Sequence, residues 1–312
     1  MTADNWYKGN IHTHTTESDG DAEPEKVVRW YRRHGYDFLV LSDHNHRTIL
    51  DHGPGKRRFK RPLMVPGEEV SVNIRDGEVP IHINAIGISR MVEPIDASEV
   101  VPTIQANVNA IVRAGGIASI NHPSYKWAFD HEAIKQVTGA SLLEIFNGHP
   151  LSNLYGGAGK PSSEQIWGGV LDAGKVIFGV ATDDSHNYTD FEPSMSNPGR
   201  GWVMVRAPEL SSEAIVEALG SGEFYASTGV TLASLDMLQE SLHLEIKQTY
   251  DYIYSTTFIG RGGAVLAEIA GPVATYRMRG DEGYVRAVVV NSGGHRAWTQ
   301  PVFTSGLDTS GR

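Results

Sequence analysis

Between residues 8 and 219 the chain repeats one pattern, a short apolar run followed by a helix-type run with its own start and stop signals. The segments 8–14, 37–41, 63–70, 79–88, 117–120, 142–146, 176–181 and 202–205 read as strands. Pro24 at the start and Gly35 past the end delimit a helix over 25–34. Ser98 is positioned to cap a second helix, whose apolar positions Val101, Ile104, Val108, Ile111 and Val112 keep helical spacing. Helical runs also fall at 131–137, 164–173 and 211–219. Asp76-Gly77 is a hairpin-type turn signal. Such alternation implies βαβ units and a mainly parallel sheet, and seven or eight units suit a closed or distorted barrel. From about residue 230 the alternation stops. Segments 243–248, 252–259, 273–278 and 284–291 read as a small antiparallel β-module, with a helical run only around 265–269. The expected division is 1–230 and 231–312, the second unit packing against or framing the first.

The strand ends carry the chemistry. The first run finishes in His12-Thr13-His14, and strand side chains alternate, so the two imidazoles share a face. Asp19-Gly20 then opens a turn with a carboxylate. Later runs finish in Ser42-Asp43-His44-Asn45-His46, Asn121-His122-Pro123 and Thr182-Asp183-Asp184-Ser185-His186; another carries Glu68-Glu69, and the next holds His82. In α/β barrels function sits at the C-terminal strand ends. Cys is absent, so a metal here is held by imidazole and carboxylate. The net charge of -10, without a like-charged basic arm, argues against nucleic acid or anionic membrane as partner. No run is long and apolar enough for a membrane span and residues 1–5 lack a leader pattern, so a cytoplasmic protein is expected. Nothing in the sequence sets its oligomeric state.

The candidate set is His12, His14, Asp19, His44, Glu69, His82, His122, Asp184 and His186. One tetrahedral ion needs four ligands. This larger set points to two or three ions sharing a bridging carboxylate, with manganese, iron and zinc all compatible. Glu68 competes with Glu69, because neighbouring strand positions face opposite ways. Asp43 and Asp183 are candidates for orienting the imidazoles beside them. The expected nucleophile is a metal-bound hydroxide, with the ions also neutralising developing charge. No protein nucleophile is assigned: Ser42 and Ser185 read as loop spacers or hydrogen bonders. Arg200, Lys126, His46 and His149 are candidate substrate contacts. His34, His52, His131, His243 and His295 read as structural or surface groups, and the basic loop 56–61 as a solvated turn.

The segments HTHTTESDG, LSDHN, PGEEVS, PIHINAIG, SINHPS and ATDDSH, in this order, resemble the PHP (polymerase and histidinol phosphatase) family. The opening stretch, residues 6–45, looks most like the carbaryl-hydrolase-like branch of PHP metallohydrolases. The resemblance spans roughly residues 6–230. It implies a distorted (β/α)7 barrel with a trinuclear metal centre at its C-terminal face. By motif, His12, His14 and Asp184 would hold the first metal. Glu69 would bridge it to a second on His82 and His122, and Asp19, His44 and His186 would take the third. The family's Gly-x-Glu pattern favours Glu69 over Glu68, and its Asp-x-His pattern Asp184 over Asp183. The Glu68-Glu69 pair departs from the family, which often has an apolar residue first. The appended β-module is a second departure.

The resulting expectation is a metal-dependent hydrolase, foremost a phosphoesterase acting on a small phosphomonoester or cyclic phosphate. Arg200 and Lys126, as possible phosphate clamps, lean that way. A carbamate or carboxylic ester hydrolase on the same site is the alternative. A catalytically silent metal-binding or sensor module is the alternative of another class.

Overall fold

The computed structural model describes residues 5–50 and 62–304. The basic loop 56–61 and His52 lie outside them. The chain opens with β1 (Asn5–Asn10), α1 (Pro24–Arg33), β2 (Phe38–Leu39), β3 (Leu63–Met64), β4 (Gly67–Ile74) and β5 (Val79–Ile86). It continues through α2 (Val100–Arg113), β6 (Ile117–Ile120), α3 (His131–Ile134), β7 (Ala140–Asn147), α4 (Ser163–Asp172) and β8 (Phe178–Thr182). Then follow β9 (Trp202–Ala207), α5 (Ser212–Ser221) and β10 (Phe224–Ser227).

These strands do not form one mainly parallel ring. A five-stranded sheet runs β4-β5-β6-β7-β8, while β3, β2, β1, β9 and β10 lie side by side in a separate ten-stranded sheet. In the first, β5 alone runs against its neighbours. The cause is the tight β4–β5 turn: Arg75 and Asp76 take φ of 55° and 56°, and a hairpin this short can only join antiparallel strands. In the second, β9 runs against both β1 and β10. The two sheets meet by isolated bridges, Thr13 with Ser185 and His44 with Glu69. Both bridges involve residues of the candidate set or their immediate neighbours.

The interior explains the helices. Val27, Val28 and Tyr31 of α1 pack with Leu39, Leu41, Tyr36 and Tyr188. Ile104, Val108 and Ile111 of α2 enter a larger cluster with β4, β5, β6 and Trp167 of α4. A capping box between Ser162 and Gln165 starts α4, and the Ser211 side chain accepts from Ala214 N–H at the start of α5. At α2 the expected Ser98 cap is absent. Glu99 occupies the cap position without a side-chain bond, and Ser98 lies at φ 67°, outside the extended geometry a capping side chain needs.

The remainder is β-structure: β11 (Leu232–Met237), β12 (Ser241–Ile246), β13 (Tyr254–Ile259), β14 (Val265–Ala270), β15 (Val273–Arg277), β16 (Tyr284–Asn291), β17 (Arg296–Thr299) and β18 (Val302–Phe303). The helix expected around 265–269 is a strand, β14, because it pairs along its length with β13 and the ladder overrides local propensity. β11-β12-β15 form a three-stranded sheet, while β13, β14, β16 and β17 extend the ten-stranded sheet through β10. Trp298 and Tyr284 are buried in the same apolar cluster as β4–β7, so this region packs directly on the part that carries the site.

Candidate metal centre

Residues 11–14 leave β1 in extended form, held on both sides. His14 N–H donates to Ser185 O at 3.0 Å, Asp184 N–H to His12 O at 3.0 Å, and Ser42 N–H to Thr13 O at 2.8 Å. Alternation then sends His12 and His14 to one face, their rings 5.2 Å apart, and Thr13 to the other, toward Tyr31 and Asn10. The turn at Asp19-Gly20 folds back tightly: a Cβ at Gly20 would lie 2.8 Å from the His14 carbonyl, so only glycine lets Asp19 reach the cluster. His44 and His186 follow β2 and β8. His82 enters from the N-terminal half of the reversed strand β5 rather than from a strand end, while Glu69 lies opposite Asn84 on β4.

All nine candidates converge. Glu69 is central: its carboxylate lies 3.3 Å from His12 Nε2, 3.5 Å from His14 Nε2, 2.8 Å from His44 Nδ1, 3.4 Å from His82 Nδ1 and 3.5 Å from His122 Nε2. Asp184 Oδ1 lies 3.2 Å from His12 Nε2 and 3.3 Å from His14 Nε2. Asp19 is 3.3 Å from His186 Nε2 and 3.6 Å from His44 Nε2. Among the described residues, four groups have donor atoms within 4.8 Å of one another: His14–Asp19–His44–His186, His12–His14–Glu69, His12–His122–Asp184 and His44–Glu69–His82.

The pairs left open by strand alternation have separate surroundings. Glu68 faces away from the cluster and accepts from Val92 N–H at 2.6 Å. Asp183 accepts from Arg200 N–H, Gly201 N–H and the Tyr31 hydroxyl. Asp43 holds the loop before Asp19 by accepting from Thr15 N–H at 2.7 Å, Thr15 Oγ1 at 2.9 Å and Ser18 Oγ at 2.8 Å.

Without a cation the cluster is poorly satisfied. His12 Nε2, His14 Nε2, Glu69 Oε2 and His82 Nδ1 are buried with no hydrogen-bond partner. Buried polar atoms are nearly always paired, and four orphans converging on one place fit a bound cation. Several imidazoles also engage their second nitrogen, His12 Nδ1 with Glu144, His14 Nδ1 with Ser18 Oγ and His186 Nδ1 with Asp184 O, as metal-ligating histidines do.

Electrostatics tell the same story. Burial opposes ionisation of Glu69, yet His12, His44 and His82 outweigh it and hold its carboxyl well below the usual range. Asp184 is held down in the same way by His12, His14 and His186 against its burial. Burial would depress His44, but Glu69 and Asp19 raise it to about 10. His12 is likewise raised, against its burial, by Asp184, Glu144 and Glu69. Burial and the neighbouring His186 lower His14 to about 4.

An open pocket of about 450 Å³ leads to the cluster, its wall completed by Tyr125, His149 and Ser152. His149 stands against His186 with ring centres 5.5 Å apart. The other expected substrate contacts do not line this pocket. Arg200 spends its guanidinium on Gly148 O at 2.8 Å and Glu192 O at 3.1 Å, tying two loops together. Lys126 is exposed on the 3-10 turn Tyr125–Trp127, with Nζ 5.8 Å from the Tyr125 ring centre. His46 is exposed beside Glu17. Lys126 and His46 follow His122 and His44 closely in sequence, but both side chains are exposed.

Three neighbours of the cluster escaped the sequence reading: Glu144, Asn121 and Asn147. Asn121 Nδ2 donates to Glu69 Oε1 at 2.7 Å and Asn147 Nδ2 to Asp184 Oδ2 at 3.0 Å. Glu144 carried a signal, since a carboxylate inside the apolar run Leu142–Phe146 needs partners to be buried.

No family model and no curated protein matches the chain. Among solved structures it is similar to a two-domain protein from Bacteroides vulgatus described as containing a predicted PHP-like metal-dependent phosphoesterase. The two share 18% identity over 98% of this chain and 88% of that one, with a TM-score of 0.53. The likeness is one of fold. An amidohydrolase from Chromobacterium violaceum, solved with bound sulfate and no metal, shares 16% identity over 61% of this chain and 93% of that one, with a TM-score of 0.39, too low to add to that. Among the described residues no helix is long and apolar enough to cross a membrane.

Proposed function

We propose that this chain is a metal-dependent hydrolase of the PHP type, a phosphoesterase for a small phosphomonoester or cyclic phosphate. The observation that carries this reading is the convergence of unpartnered buried imidazole and carboxylate atoms at the floor of an open pocket. Two or three manganese, iron or zinc ions would be held by His12, His14, Asp19, His44, Glu69, His82, His122, Asp184 and His186. When bound, such ions ionise water at neutral pH and neutralise the oxygens of an ester in the transition state.

The chain's own residues then have distinct tasks. Glu69 and Asp184, buried and ionised, supply negative charge where several cations would have to sit close together. Set against Glu69, Asp184, Asp19 and Glu144, three divalent ions leave the site net positive, which suits an anionic phosphate. Tyr125, His149 and Ser152 form the wall that the organic part of the substrate would touch. His149 Nδ1 accepts from Leu151 N–H at 3.1 Å, so its neutral ring presents Nε2–H as a donor. In this reading residues 1–230 carry the catalytic site, residues 231–312 brace it, the chain is of the carbaryl-hydrolase-like kind, and the protein works on a small molecule in the cytoplasm.

One observation favours a second reading, hydrolysis of a carbamate or carboxylic ester. Arg200 is committed to loop carbonyls and Lys126 lies outside the pocket wall, so neither clamps a phosphate. A panel of phosphomonoesters, cyclic phosphates, aryl carbamates and aryl esters on manganese-loaded protein separates the two. Phosphate release supports the phosphoesterase reading, whereas phenol release from a carbamate with no phosphate released overturns it. Manganese binding with no turnover on any of them supports a silent sensor.

A further inference from the structure

Glu144 is 1% exposed, lies on β7, and belongs to none of the groups that could hold an ion. Its two oxygens are fully used by donors from four places in the chain. Oε1 lies 2.6 Å from His12 Nδ1 and accepts from Thr182 Oγ1 at 2.6 Å. Oε2 accepts from His122 N–H at 2.8 Å and from Asn147 Nδ2 at 2.9 Å. A carboxylate has about four acceptor sites, so none is left to ligate. Because it offers only acceptors, the proton of neutral His12 sits on Nδ1. Nε2 is then a bare lone pair aimed between Glu69 and Asp184, and it is one of the orphaned atoms. The bond to His122 N–H also anchors a residue at φ 20°, which few non-glycine residues adopt. Through Asn147, whose Nδ2 also reaches Asp184 Oδ2 at 3.0 Å, the same carboxylate bears on a third candidate ligand.

We infer that Glu144 is a positioning residue that joins His12, His122 and Asp184 into one metal-binding unit, fixing the tautomer of the first, the backbone of the second and the orientation of the third. It sets the affinity of that end of the cluster without touching the ion. The inference rests on the metal-centre reading above and extends it to a residue outside the ligand set. Glutamine is the informative replacement. It keeps the shape, but its amide turns one oxygen into a donor facing donors, on either the His12–Thr182 side or the His122–Asn147 side.

Manganese titration of the full chain by calorimetry, with circular dichroism as a folding control, tests this. Glu144→Gln is expected to weaken binding by about 10–100-fold while full stoichiometry returns at excess metal. Asp184→Asn, a change to a candidate ligand, is expected to lose an ion that excess metal does not restore. Wild-type affinity in Glu144→Gln overturns the inference, and so does a lost ion that excess manganese cannot restore, which would make Glu144 a ligand. If Glu144→Gln fails to fold, Asn147→Ala isolates the arm to Asp184 and is expected to weaken manganese binding at full stoichiometry; unchanged affinity there overturns the inference. Failure of the wild type to bind manganese is a separate result, and removes the metal-centre reading itself.

Discussion

Replacing Glu69 by glutamine is the sharpest perturbation of the cluster. The carboxylate approaches five imidazoles at 2.8–3.5 Å and belongs to two of the four groups able to hold an ion. Asp19 belongs to one. Removing the Glu69 charge therefore acts on two sites and removing that of Asp19 on one. The expected outcome is a loss of two ions from Glu69→Gln and of one from Asp19→Asn, measured as metal per chain after manganese loading and desalting. Where two of the charges that neutralise the transition state are gone, turnover should fall by on the order of 10³-fold, about 4 kcal/mol of barrier. Circular dichroism keeps the comparison to folded protein. Wild-type metal content in Glu69→Gln would refute the central placement of this carboxylate, and equal losses in the two variants would refute the reasoning from group membership.

Other outcomes are equally direct. In metal-free protein at pH 7.5 the His44 imidazole, raised to about 10, still carries its proton, whereas His14, lowered to about 4, does not. An ion that takes the His44 lone pair must displace that proton, so zinc loading in weak buffer should acidify the solution, and no proton release would contradict the assignment. Asp43→Ala leaves the buried Thr15 N–H without its acceptor and should cost about 1–3 kcal/mol, read as a lower urea midpoint. Gly9→Ala puts a Cβ 2.1 Å from the Phe38 ring, and overpacking of this kind costs about 1–3 kcal/mol in the same assay. An unchanged midpoint in either variant would show that the site relaxes at no cost.

The candidate site was more legible in the sequence than the fold. His12, His14, His44, His122 and His186 stand at or just past strand ends, where short-range periodicity and motif order suffice to find them. Strand direction is not written in such local patterns. The Asp76-Gly77 turn marks a hairpin, yet its consequence, one reversed strand and two sheets in place of a ring, depends on which edges pair far along the chain. The strand at Val265–Ala270 reads locally as a helix and is decided by its partner β13. Glu144 is hidden for a related reason: its four donors are separated from it by 3 to 132 positions, and only the folded sheet brings them together. Arg200 and Lys126 lie off the wall of the pocket, because side-chain direction is set by loop geometry and not by composition.

These nine side chains are proposed to bind metal ions together. The most direct test is anomalous diffraction at the zinc edge from zinc-loaded crystals. Peaks at roughly 2.0–2.2 Å from the His12, His14 and Asp184 donor atoms, with Glu69 shared between two of them, are the expected result. Zinc found only elsewhere on the protein, with this cluster empty at saturating metal, would contradict it.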